Sequence, residues 1–105
     1  MLIQLNTDSN ILENEALAQQ IESILTDALA RFTQHITRVE VHLSNVNSDA
    51  KQGAEDMRCL LEARLTGRQP TAVSHQAATL EQAVNGAADK LKNSLESTLG
   101  RLDHR

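Results

Sequence analysis

The stretch Ile36-Thr37-Arg38-Val39-Glu40-Val41-His42-Leu43-Ser44 decides how this chain folds. Val39, Val41 and Leu43 alternate with Arg38, Glu40, His42 and Ser44. A two-residue period puts the apolar side chains on one side and the polar ones on the other, so 36–46 reads as a half-buried strand with one wet face. The period returns at 57–66, where Met57, Cys59, Leu61, Ala63 and Leu65 oppose Arg58, Leu60, Glu62 and Arg64. The polar stretch 45–53 between them ends in the turn Lys51-Gln52-Gly53, and Gly67-Arg68-Gln69-Pro70 has the length of a hairpin turn. A weaker strand follows over 71–76, anchored by Val73. Two antiparallel hairpins that share their middle strand are the economical arrangement.

Working outward, 2–6 reads as a first strand with Ile3 and Leu5 on one side, followed by the turn residues Thr7-Asp8-Ser9-Asn10. Asn14 is the expected N-cap of a helix over 15–33, with Glu15 in the first turn, where the helix dipole favours a negative charge. Leu17, Ile21, Ile24, Leu25, Ala28, Leu29 and Phe32 recur at steps of three and four and form one apolar stripe. Thr79-Leu80-Glu81-Gln82 has the form of a capping box. The helix it opens, over 80–102, carries the stripe Leu80, Ala83, Val84, Ala87, Leu91, Leu95, Thr98 and Leu102. Gly86 inside it costs about 1 kcal/mol relative to Ala, which implies close packing against something beneath. The order is therefore β-α-β-β-β-α. With one apolar stripe per helix and one apolar face per strand, the expected fold is α+β: a single domain over 1–105, a two-layer sandwich with both helices on one face of a four-stranded mixed sheet. The crossover through the first helix makes the first two strands parallel neighbours.

Composition narrows the function. The 105 residues carry a net charge of −4, one Phe, no Trp and no Tyr. Without a row of aromatics, recognition of single strands by base stacking is not expected. Acids dominate the first half, where Arg31 and Arg38 are the only basic residues up to position 50, so any contact with nucleic acid depends on local placement of a few cations. No apolar run approaches the ~20 residues needed to span a bilayer, and the N-terminus has no signal-peptide pattern, which implies a cytoplasmic protein without a membrane partner. A lone Cys59 excludes an internal disulfide. His35, His42, His75 and His104 show no ligand spacing, and no nucleophile–base pair or Gly-rich phosphate loop is present, so neither a metal, nor a cofactor, nor an enzyme is expected.

The pattern resembles the bacterial hibernation-promoting factor and ribosome-associated inhibitor family, in its short form. Glu15-Ala16-Leu17 matches the start of that family's first helix, and Phe32, Ile36, Val39, Val41 and Leu43 match its helix exit and second strand. In the last helix the family has Asp-Met-Tyr-Ala-Ala-Ile-Asp and, three residues on, Asp-Lys-Leu. Here Ala83, Asp89, Lys90 and Leu91 match directly, while Glu81 stands where the family has Tyr. Asn93, Ser97 and Leu99 stand at positions where the family helix is basic.

The resemblance implies a non-enzymatic translation regulator. It would bind the small ribosomal subunit through ribosomal RNA, occlude the channel for messenger and transfer RNA under stress or in stationary phase, and make no use of DNA. The residues expected to contact RNA are Arg38, Arg58 and Arg64 on the polar side of the sheet, Arg68 in the turn, and Lys90, Lys92 and Arg101 on the last helix. Fewer basic positions mean fewer phosphate contacts, hence weaker and less salt-dependent binding. The plainer reading of the three strand arginines is a solvated face with cross-strand pairs to Glu40 and Glu62. Two other functions fit the residues: a diverged module of the same fold that binds a protein partner and has lost the ribosome, and a homodimer through the open sheet face with Leu60 exposed on it.

Overall fold

A computed structural model describes residues 1–8, 14–45 and 57–103, with side chains as far as Leu99. The elements are β1 (Leu2–Thr7), α1 (Glu15–Ala28), a 3₁₀ turn (Ala30–Phe32), β2 (Ile36–Asn45), β3 (Met57–Leu65), β4 (Thr71–Ala77) and α2 (Leu80–Asp103). The turn at 9–10, Val46, the turn at 51–53, His104 and the side chains of Arg101 and Leu102 lie outside the described residues.

The strands lie in the order β1-β2-β3-β4. β1 runs parallel to β2, and β2–β3 and β3–β4 are antiparallel, as the α+β reading requires. Register places Val39 beside Ala63, Val41 beside Leu61 and Leu43 beside Cys59. All six are buried and meet the helices in one core with Ile21, Leu25, Val84, Leu91 and Leu95. Ile3, Leu5 and Val73 close that core at the two edges. Among the described residues nothing covers the opposite side of the sheet.

Local chemistry explains where the helices begin. The Asn14 side chain accepts from the Leu17 N–H at 2.8 Å, and the Thr79 hydroxyl accepts from the Gln82 N–H at 3.1 Å. Each satisfies a donor that the first helical turn leaves free. Asn14→Ala is expected to cost about 1 kcal/mol in a denaturant melt, the usual worth of such a cap.

Three details differ from the sequence reading. The first helix does not run unbroken to 33; α1 ends at Ala28, and the chain tightens into a 3₁₀ turn closed by Phe32 N–H to Leu29 C=O at 2.9 Å. In that tighter turn residues three apart eclipse, so Leu29 and Phe32 both reach the core. In β2 the register slips between Ile36 and Arg38. The bulge spends Thr37, whose hydroxyl donates to the Arg64 carbonyl at 3.0 Å, and lets Ile36 point inward although it is out of phase with Val39. On α2 the apolar stripe ends on Leu99, which is 1% exposed, with Thr98 only half-buried. Steps of four from Ala87 through Leu91 and Leu95 rotate the stripe about 40° each, and Leu99 continues that drift. The basic residue found at this position in the resembled family would be buried here.

Candidate nucleic-acid interface

The uncovered side of the sheet carries Leu2, Gln4 and Asn6 on β1, Arg38, Glu40, His42 and Ser44 on β2, Arg58, Leu60, Glu62 and Arg64 on β3, and Ala72, Ser74 and Gln76 on β4. The alternation that buries Val39, Val41 and Leu61 necessarily delivers these residues to solvent. Leu60 is half-buried among them, with His42 and Ser74 as its register neighbours, so the exposed Leu60 expected for a homodimer face is absent. The large hydrophobic residues exposed among the described ones are Met1 and Leu2, at the edge of β1.

Register brings the expected arginines into two separate places. Arg38 and Arg64 stand opposite each other across β2 and β3, and on the next rung Glu40 stands opposite Glu62. Each rung alone opposes like charges, which destabilises a sheet; the two rungs together compensate. Glu40 Oε2 accepts from Arg38 Nη2 at 2.7 Å and lies 3.3 Å from Arg64 Nε. Glu62 Oε1 lies 3.5 Å from Arg64 Nη2, and His42 Nε2 stands 3.7 Å from the other Glu40 oxygen. Glu40 is the hub of this cluster, with its side chain 18% exposed against 37% and 45% for the two arginines. The cross-strand pairing that the sequence offered as the plainer reading is therefore formed at Arg38 and Arg64.

Arg58 is different. It sits six residues along β3 from Arg64, about 20 Å away at strand rise, between Ser44 and Gln76. It is exposed, and no ion pair reaches it among the described residues. Arg68 is exposed in the β3–β4 turn, where Gly67 adopts φ 70°, a left-handed conformation that favours glycine.

The two lysines of α2 do not form one edge. Residues two apart on a helix point about 200° apart. Lys90 leans toward β4, where its Nζ donates to the Ser74 carbonyl at 2.9 Å. That bond occupies a carbonyl on an edge strand, with the cation beside it. Lys92 flanks the other side of the buried stripe and is half-buried. Farther along α2, Glu96 pairs with Arg31 at 2.9 Å.

Cys59 faces the core; burial pushes its thiol up to about 12, so it stays protonated near neutral pH. No group of three or more His, Cys, Asp or Glu side chains among the described residues is placed to hold a metal ion. No described helix is long and apolar enough to cross a membrane.

Comparison with solved structures supports the fold. The N-terminal domain of Thermus thermophilus Protein Y superposes with a TM-score of 0.74 at 21% sequence identity, covering 93% of this chain and 99% of that chain. A ribosomal subunit interface protein from Coxiella burnetii gives 0.73 at 14% identity, covering 95% and 99%. A comparison with curated protein sequences finds no match. The family model described as Sigma 54 modulation protein / S30EA ribosomal protein matches residues 7–103, nearly the whole chain, in agreement with the resemblance carried by Asp89-Lys90-Leu91, and the chain belongs to that family.

Proposed function

We propose that the protein is a non-enzymatic translation regulator that binds the small ribosomal subunit through ribosomal RNA and blocks the channel for messenger and transfer RNA. The observation that carries this reading is the match of residues 7–103 to a ribosome-associated family. The distribution of charge supports it. The open sheet face displays Arg38, Arg58 and Arg64 against Glu40 and Glu62, while the helix layer displays Glu15, Glu22, Asp27, Glu81, Asp89 and Glu96 against Arg31, Lys90 and Lys92. A polyanion is drawn to the first side and to its β4 rim, where Lys90 reaches Ser74, and is repelled by the net acidic remainder of the helix layer, which orients a chain whose net charge is −4.

Arg58, Arg68 and Lys90 supply the main phosphate contacts in this reading, with Arg38, Arg64 and Lys92 secondary and Arg101 at the end of α2. Three to four contacts give a log–log salt slope of roughly −2 to −4. Co-sedimentation with purified small subunits at low and moderate salt tests it. The wild type is expected to pellet with subunits at low salt and to be released as salt rises. Arg58→Glu with Lys90→Glu is expected to weaken binding by about tenfold or more, since both contacts become repulsions, with only a small change in the thermal melt, because both side chains are exposed and the reversal removes one solvent-exposed bond, from Lys90 to Ser74. Binding that ignores both salt and the reversal would place the interface elsewhere. A second reading, a module that binds a protein partner and has lost the ribosome, draws support from the self-paired Arg38 and Arg64. Wild-type protein that stays in the supernatant even at low salt would favour it.

A further inference from the structure

The cluster on the open sheet face has a feature that charge pairing alone does not require. Arg38 and Arg64 are two guanidinium groups set on one rung, an arrangement suited to holding an anion between them. The Glu40 carboxylate already touches both: a single oxygen, Oε2, meets Arg38 at 2.7 Å and Arg64 at 3.3 Å. The pairing is incomplete on the arginine side. Arg38 Nε is buried and has no hydrogen-bond partner, so its guanidinium is held through one nitrogen rather than as a two-pronged fork. Arg64 shares its donors between Glu40 and Glu62, the latter at a long 3.5 Å.

We infer that Glu40 is a built-in occupant of a phosphate seat formed by Arg38 and Arg64, and that an RNA backbone phosphate takes its place when the sheet face docks. The inference rests on the proposed function in taking RNA as the partner. A phosphate offers more acceptor oxygens than the one Glu40 oxygen now in use, and both arginines gain by the exchange once their side chains swing out. Displaced, Glu40 remains tethered two residues from Arg38 and competes at high effective concentration. Isolated phosphates therefore lose to it. A nucleic acid anchored elsewhere, at Arg58 on the same strand, can displace it. The result is a face that discriminates against stray anions and engages only a partner long enough to reach both ends of β3.

Removing the competitor tests this. Glu40→Gln keeps the shape and removes the charge. Glu22→Gln on the helix layer changes the net charge equally and leaves the seat alone. Binding to a short RNA hairpin and to purified small subunits is measured for both variants, with melting curves to verify folding. Glu40→Gln is expected to raise affinity about tenfold in both assays, the worth of roughly one charge-assisted contact, and to steepen the log–log salt slope by about one phosphate contact. Glu22→Gln is expected to change neither. Adding Arg38→Gln and Arg64→Gln to Glu40→Gln is expected to erase the gain. If Glu40→Gln does not fold, Glu40→Asp, which withdraws the carboxylate from Arg38, is expected to show a smaller gain. Equal gains from Glu40→Gln and Glu22→Gln, or no gain from Glu40→Gln, overturn the seat. Wild-type protein that binds subunits without a gain in Glu40→Gln leaves the proposed function standing and removes the seat. A gain on the RNA hairpin that depends on Arg38 and Arg64, with no variant binding subunits, keeps the seat and removes the ribosome.

Discussion

Leu61→Ala is expected to destabilise the protein by about 2–5 kcal/mol, the cost of deleting a fully buried leucine side chain. Leu61 is 0% exposed. It stands at the centre of β3 with Val41 on one side and Val73 on the other, facing the helix layer. None of these neighbours can move in without breaking strand pairing, which argues for the upper part of that range. A domain of this size has about 5–15 kcal/mol of stability in all, and each kcal/mol is worth about 4–8 °C in melting temperature. The midpoint of thermal unfolding is therefore expected to fall by about 10 °C or more. Leu60→Ala, one residue earlier on the same strand, is the internal control. Leu60 points to the open face and is only half-buried, so its loss is expected to cost less than about 1 kcal/mol. Equal losses at 60 and 61 would mean that both faces of the sheet are covered and would reject the two-layer architecture.

The second large effect is a reversal of sign at Gly86. Glycine in a helix interior normally yields about 1 kcal/mol when replaced by Ala. Here the His75 ring lies against Gly86, and a methyl group added there would overlap the ring, with even its Cγ only 2.6 Å away. Cγ is the ring atom nearest the backbone, so tilting the ring about its own axis does not clear the overlap; the whole ring must swing off α2, or β4 or α2 must shift. Overpacking costs about 1–3 kcal/mol, and so deep an overlap belongs in the upper part of that range, so Gly86→Ala is expected to lose about 1–2 kcal/mol net. In a His75→Ala background the obstacle is gone, and the same substitution is expected to stabilise by about 1 kcal/mol. Urea melts of the four proteins in the cycle give a coupling of about 2–3 kcal/mol. A Gly86→Ala gain in both backgrounds would show that the ring does not rest on the helix.

Much of the fold was legible because its elements advertise themselves locally. The period-two alternation around Val39 and Val41 and around Leu61 and Ala63, the caps at Asn14 and Thr79, and the β-α-β crossover each depend on neighbours in the chain. The departures answer the packing of distant residues, and at Ile36 the core takes a side chain that the regular period would have misplaced. Phe32 enters through a 3₁₀ turn, Ile36 through a bulge at Thr37, and Leu99 by drift of the α2 stripe. A period read from sequence is blind to such adjustments, because the demand comes from distant residues. Gly86 lies between the two cases. Its cost within a helix announced a close neighbour, and only the packing of α2 on β4 identified His75.

For the site, the sequence by itself determined which residues reach the open face. A strand that buries Val41 must expose Glu40 and His42, and one that buries Leu61 must expose Leu60 and Glu62. It also supplied the family, through the register of Asp89-Lys90-Leu91 within the last helix. What only the tertiary structure decided is which charges meet. Arg38 opposes Arg64 because β2 and β3 pair in one register and no other, and that register was set by the core on the far side of the sheet. Lys90 reaches β4 while Lys92 turns away because α2 lies on the sheet in one rotation, set by Leu91 and Leu95 beneath it. Sequence gives each side chain its face through local periodicity. Its partners across strands follow from burial elsewhere in the molecule, because the free energy that fixes the register comes from the apolar core rather than from the charges themselves.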